Sequence, residues 1–262
     1  MLFLRRNFPF SSITLYPLGD IHYGSPQCDV KFVEKLVEII RKDSTGFWVG
    51  MGDMIENAMI GTLGDIYRQK FSPQEQCEYI VSLLKPIKDK GLFIVTGNHE
   101  LRSARHAGLE PDRFVANLLG VPYAGPSCLS KLFLKHKSRV SSFDCFVHHG
   151  AGGGRTQGGK VNASARLRDI VPTADLTLSG HSHTTGRIPV MWREAGLKKI
   201  INRMGYNYIT GSALSYDCSY AEEKALPPAI NEFISITLHG RTRGDVDDKW
   251  QEYKIISPDT EV

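Results

Sequence analysis

Five short blocks hold the residues able to do chemistry. They are Asp20-Ile21-His22, Gly52-Asp53, Gly97-Asn98-His99-Glu100, His148-His149-Gly150 and Gly180-His181-Ser182-His183. Between them they offer carboxylates, imidazoles and an amide oxygen, and no thiolate. Neutral imidazole suits zinc, iron or manganese, and carboxylate suits harder cations. A carboxylate shared between two cations holds them roughly 3.5–4 Å apart. Such a pair lowers the pKa of a shared water, making hydroxide available near neutral pH for in-line attack on phosphorus. The mixture therefore points to splitting of phosphate esters.

Each block follows a short apolar run, and those runs must position it. Residues 13–18, 47–51 and 92–96 read as buried strands. Between the first two, Phe32, Val33, Leu36, Val37, Ile39 and Ile40 recur at helical spacing over residues 30–42, with a Lys/Glu outer face. Between the next two, Ser72 as N-cap, Pro73 in the first turn and Glu75 as the box partner open a second helix, which Pro86 kinks or ends. Strand, helix, strand, helix, strand is the grammar of a right-handed unit with parallel strands. Ligand sites in such sheets lie at the carboxyl ends of the strands. Asp20, Asp53 and Asn98 should therefore gather at one rim.

The second half is richer in β patterns. Residues 132–134, 144–147, 176–178, 206–209 and 233–238 read as strands, and 112–119 and 163–170 as helices. Residues 151–160 read as a glycine-rich loop whose amides, with Arg155 and Lys160, can cradle an oxyanion. It lacks the Gly-Lys-Ser/Thr ending of a P-loop. Residues 1–262 read as a single domain, since no linker, repeat or low-complexity tract interrupts them.

Composition narrows the classes. Thirty-two Lys+Arg against 28 Asp+Glu leave a net charge of +4, compatible with an anionic substrate but no demonstration of a nucleic-acid partner. Five cysteines, Cys28, Cys77, Cys128, Cys145 and Cys218, are scattered singly. That argues for reduced thiols and a cytoplasmic location. No secretory signal or membrane-spanning run is visible, so no membrane partner is expected.

In this order and spacing, the five blocks resemble the calcineurin-like metallophosphoesterase superfamily. They extend from Asp20 to His183, about two thirds of the chain. Residues 64–76 and the later Gly-Gly-Gly-Arg-Thr run are similar to bacterial and phage-type members. The resemblance implies an α/β fold, a four-layer α/β/β/α sandwich of two mixed sheets flanked by helices. It implies two divalent or trivalent cations, with manganese expected and iron, zinc, nickel or magnesium compatible. Asp20, His22 and His183 would hold the first, and Asn98, His181 and one histidine of the fourth block the second. Asp53 would bridge them. Adjacent residues of an extended segment point oppositely, so one of His148 and His149 is a ligand. Family blocks ending His-Gly favour His149, and others favour His148.

The resemblance also makes His99 the group that protonates the leaving oxygen or steadies the transition state, with Glu100 orienting its ring. Such acid catalysis is worth roughly 10²–10⁴ in rate. Glu56 and Asn57 are candidates to fix ligand orientation. Arg102, Arg155 and Arg187 are candidates to meet substrate. The expected reaction is metal-dependent hydrolysis of a phosphodiester or phosphomonoester, the substrate a phosphorylated small molecule or a nucleic acid. A nuclease acting on DNA or RNA ends, and a non-catalytic protein-binding scaffold of the same fold, are the alternatives. The oligomeric state leaves no mark in the sequence.

Overall fold

Three parallel strands set the frame for the first half of the chain. They are β2 (Ser12–Leu18), β3 (Gly46–Gly50) and β4 (Gly91–Val95), paired in that order. Helix α1 (Val30–Lys42) crosses from the first to the second, and α2 (Pro73–Leu84) from the second to the third. The carboxylate of Asp29 caps α1 by accepting from Phe32 N, and Ser72 and Glu75 form a reciprocal capping box on α2. Pro86 falls in a 3₁₀ turn, Lys85–Lys90, directly after α2. The computed structural model describes residues 1–62, 65–152, 154, 156–216, 222, 225, 231–240 and 250–261.

Side chains alternate across each strand. Tyr16, Leu18, Trp48 and Ile94 face a core cluster completed by Phe32, Leu36 and Ile40 of α1, Ile80 and Leu84 of α2, and Val115 and Leu119 of α4 (Pro111–Leu119). Ile13, Leu15, Val49, Phe93 and Val95 face the other way. They share a second cluster with Leu132, Phe143, Cys145, Val147, Leu176, Leu178 and Tyr208. These last come from β6 (Ser127–His136), β7 (Arg139–His148), β8 (Leu176–Ser179) and β10 (Ile200–Ser212). Helix α5 (Gln157–Leu167) covers the far side, where Leu167 meets Phe146 and Ala174. Apolar surface removed from water at about 25 cal/mol per Å² drives all three contacts.

The two expected sheets are one. The hydrogen-bonded path runs β1-β6-β7-β8-β10-β11-β2-β3-β4-β5, with β1 (Leu2–Phe8) and β5 (Tyr123–Gly125) at its ends and β11 (Glu232–His239) in its middle. β9 (Thr185–Ala195) adds to β10, and β12 (Trp250–Ile256) to β11. The join lies in β10. Tyr206 to Ile209 pair with β8; then Gly211, at φ +90°, turns the strand so that Gly211 and Ser212 pair with Phe233 and Glu232. A side chain at Gly211 would run into the carbonyl of Glu232.

Several elements differ from the sequence reading. β1, β5, β9, β12 and α3 (Glu100–Ala107) carry no strong pattern, and β6, β7 and β10 run well beyond their expected cores. The glycine-rich loop ends early. Thr156 accepts from Gly159 N at 3.1 Å and starts α5 at Gln157, six residues before the expected helix. Cys77, Cys128 and Cys145 are buried and unpaired; Cys218 lies outside the described residues. Among the described residues, no helix is long and apolar enough to cross a membrane.

Candidate metal centre

Asp20 follows β2, Asp53 follows β3 and Asn98 follows β4, so three parallel strands deliver three oxygen donors to one rim. His149 follows β7, and His181 and His183 follow β8. The connecting loops are bonded to one another. Asp20 N donates to Gly52 O, and Ile21 N and His22 N to Asp53 O. His181 N donates to Asp20 Oδ2 at 2.9 Å and His99 N to Asp53 Oδ1 at 2.8 Å.

This mesh holds an unusual backbone. Asp20, His22, Asp53, His181 and His183 all have φ between 47° and 67°, in the left-handed region that costs non-glycine residues about 1–3 kcal/mol each. Gly97 and Gly180 permit the close approach. A methyl at the first would strike the Asp53 carboxylate, and one at the second the Asp20 carboxylate.

Two groups of donors result. In the first, His183 Nε2 lies 3.3 Å from Asp20 Oδ1, and His22 Nε2 lies 3.1 Å from His183 Nε2, 3.9 Å from Asp20 Oδ1 and 3.8 Å from Asp53 Oδ2. In the second, His149 Nε2 lies 3.3 Å from Asp53 Oδ2 and 3.0 Å from Asn98 Oδ1, with His181 joining the same cluster. Asp53 belongs to both.

Donors 2.0–2.2 Å from one ion sit roughly 3.0–3.5 Å apart, so these separations fit two cations. The chemistry fits too. Asp20 Oδ1 is buried with no hydrogen-bond partner, a costly state for a carboxylate unless a cation meets it. The nearby imidazoles hold the charged form of Asp53 well below the ordinary carboxylate range despite burial. Burial opposes charge on His149, but Asp53 and Asp20 outweigh it and push its pKa up to about 10.

Of the fourth block, His149 is buried and joins the donors. His148 turns elsewhere, its Nδ1 accepting from Gly150 N at 2.9 Å.

His99 sits edge-on to His22, ring centroids 4.4 Å apart, with Nε2 3.8 Å from Asp53 Oδ2. Its Nδ1 is 2.6 Å from Glu56 O and can only donate there. Its Nε2 is 2.8 Å from Arg102 Nη2 and can only accept there. The ring is therefore neutral. Burial drives its pKa down to about 4, partly opposed by Asp53 and Glu56. Arg102 also donates to Glu56 O at 3.1 Å.

Glu100 does not orient the His99 ring. Its buried carboxylate accepts instead from Asp53 N, Met54 N and Ile55 N at 3.0, 2.8 and 3.2 Å, shaping the loop that carries Asp53. The reason is that residue 100 begins α3, whose first turn lies against that loop. The partners of His99 are Glu56 and Arg102, and Glu56 Oε2 also lies 3.3 Å from His22 Nδ1. Asn57 holds the His99 carbonyl at 2.7 Å. Arg187 is exposed, its guanidinium 3.9 Å over the Tyr206 ring. Arg155 lies outside the described residues.

No family model matches the chain, and no curated protein does. Among solved structures, a conserved uncharacterised protein of Streptococcus pneumoniae TIGR4, described as a predicted phosphoesterase, is 14% identical with a TM-score of 0.39. That match covers 96% of this chain and 92% of the other. Vps29 of Entamoeba histolytica, solved with zinc, is 12% identical with a TM-score of 0.39, covering 93% and 98%. Likeness this loose says nothing of activity.

Proposed function

We propose that this chain is a metal-dependent phosphoesterase of the calcineurin-like kind, hydrolysing a phosphate ester at a two-cation centre. The observation that carries the reading is the convergence of five imidazole and carboxylate residues, Asp20, His22, His149, His181 and His183, around a shared Asp53, with one buried Asp20 oxygen left without a hydrogen-bond partner among the described residues. Asp20, His22, Asp53 and His183 would hold one ion, and Asp53, Asn98, His149 and His181 the other. Bound there, the cations would supply an activated water and neutralise charge on the phosphate oxygens.

The chain's own residues do the rest. Glu56 keeps His22 facing inward. Glu100 keeps the Asp53 loop in shape. Neutral His99 holds Arg102 by accepting from it, which brings a fixed guanidinium to the rim where an anionic ester must arrive. A guanidinium binds phosphate through paired N–H donors and stays charged throughout.

The test uses bis-p-nitrophenyl phosphate and p-nitrophenyl phosphate with added manganese. Wild type is expected to turn over at least one of them, and Asp53→Asn to lose that turnover. Metal binding with no hydrolysis of either ester, or of a nucleic-acid panel, would instead mark a scaffold.

A further inference from the structure

A cleft of about 590 Å³ opens at the end of the molecule opposite the metal centre. It lies between β1, at one end of the sheet, and the starts of β3 and β4, where Phe47, Gly91 and Leu92 line it. Asp53 and Asn98 follow the other ends of those two strands. Five residues at about 3.3 Å each set the cleft roughly 16 Å from that rim. Its volume falls in the range of pockets that take small molecules. The floor is apolar. Phe8 and Phe47 meet edge-on with ring centroids 4.7 Å apart, and Leu92, Leu119 and Pro122 complete it.

One residue does not belong in an apolar floor. Leu2, Leu4 and Phe8 of β1 pack into the second core cluster, and strand alternation puts Arg6 on their face. Arg6 lines the cleft with its Nε shielded from water, and among the described residues its guanidinium donates no hydrogen bond and meets no carboxylate. The neighbouring Arg5, on the other face, lies over the Phe133 ring at 4.4 Å. Lys88 and Asp89 also line the cleft, both exposed, so two cations against one carboxylate leave it a single positive charge. An inward cation without an acceptor is costly. A planar carboxylate offers two acceptors in the geometry that a guanidinium presents. We infer that this cleft binds an apolar monocarboxylate, its body on Phe8, Phe47 and Leu92 and its carboxylate on Arg6. The site is separate from the phosphoesterase reading and needs no metal.

Amide NMR of metal-free protein, titrated with naphthaleneacetate at fixed ionic strength, tests this. The amides of Gly91, Leu92 and Gly120 should shift saturably, and those of Gly97 and Gly180 at the metal rim should not. Naphthaleneethanol, which has the same apolar body and no charge, should bind about tenfold more weakly, as should acetate, which has the charge and no body. Arg6→Gln should shrink the preference for the acid over the alcohol below about threefold and leave the alcohol's affinity unchanged. Lys88→Glu, at an exposed position, should weaken the acid alone. Shifts confined to the metal rim, equal affinity for acid and alcohol, or a preference that survives Arg6→Gln would each overturn the site. Should Arg6→Gln not fold, an acid affinity unchanged in Lys88→Glu overturns it instead.

Discussion

The imidazole of His149 donates from Nδ1 to the carbonyl of Met51 at 2.8 Å, tying the end of β7 to the end of β3. A carbonyl only accepts, so this contact fixes the tautomer. It aims Nε2 at Asp53 Oδ2 and Asn98 Oδ1, two oxygens that offer no proton. In metal-free protein, Nε2 must carry a proton to satisfy them. A cation would take that proton's place.

Metal uptake should therefore release a proton. The pKa of His149 is raised to about 10, above an ordinary imidazole value of about 6.5. Its stabilising pairing is full below about pH 6.5 and fades as pH climbs through 10. Between those limits the folded protein holds a proton that the ion must displace. Apparent affinity for zinc or manganese should rise about tenfold per pH unit there. Calorimetric titration in buffers of different ionisation enthalpy counts the protons, and a count of zero refutes the assignment.

Metal should also stabilise the fold through Asp53. At a free concentration of 100 Kd, one site adds about 2.7 kcal/mol. For a chain of this size that is a rise on the order of 5–10 °C in melting temperature. Asp53→Asn should abolish most of the rise, since both donor groups share that residue. Differential scanning with and without manganese measures it; an undiminished rise in the variant would show the ions bind elsewhere.

His99 and Arg102 should act as one unit. His99→Ala and Arg102→Ala are each expected to lower kcat/KM by about 10²-fold, within the range for catalytic groups. The double variant should be scarcely worse than either single one. Multiplicative losses would mean the 2.8 Å contact has no part in turnover. Because His99 is neutral above about pH 4, no acidic limb near pH 6.5 should vanish in His99→Ala.

Glu100→Gln tests the loop scaffold. Replacing one carboxylate oxygen with an amide N–H sets a donor against buried backbone donors, at a cost of ~1–3 kcal/mol. The melting temperature should fall, and metal affinity should drop roughly 10–100-fold, as for supporting partners of metal ligands. A stability loss with unchanged metal affinity would confine Glu100 to the fold.

The rim itself was readable in the sequence because strand ends and donors coincide there. Asp20, Asp53 and Asn98 each follow an apolar run that only a buried strand explains. The partner of His99 was not readable. Glu100 adjoins His99 in sequence, but in α3 it lies on the side of the Asp53 loop, while Arg102, two residues further on, folds back to the ring. Chain proximity misled because no strong apolar periodicity announces α3. The left-handed conformations of Asp20, His22, Asp53, His181 and His183 leave no trace in residue type, since Asp and His tolerate that region without requiring it. The single sheet was hidden for a related reason. One turn at Gly211 decides between one sheet and two, and a lone glycine in a strand has many readings.

That turn has a mechanical consequence. Oxygen donors Asp20, Asp53 and Asn98 ride on one wing of the sheet, and the imidazoles of His149, His181 and His183 on the other. The wings are stitched along the backbone through Gly211–Phe233 and Ser212–Glu232. Ions lodged at the rim would act as a rivet across this seam. Emptying them should let the wings breathe, so amide exchange would quicken first in the backbone around Gly211 and not in the helices.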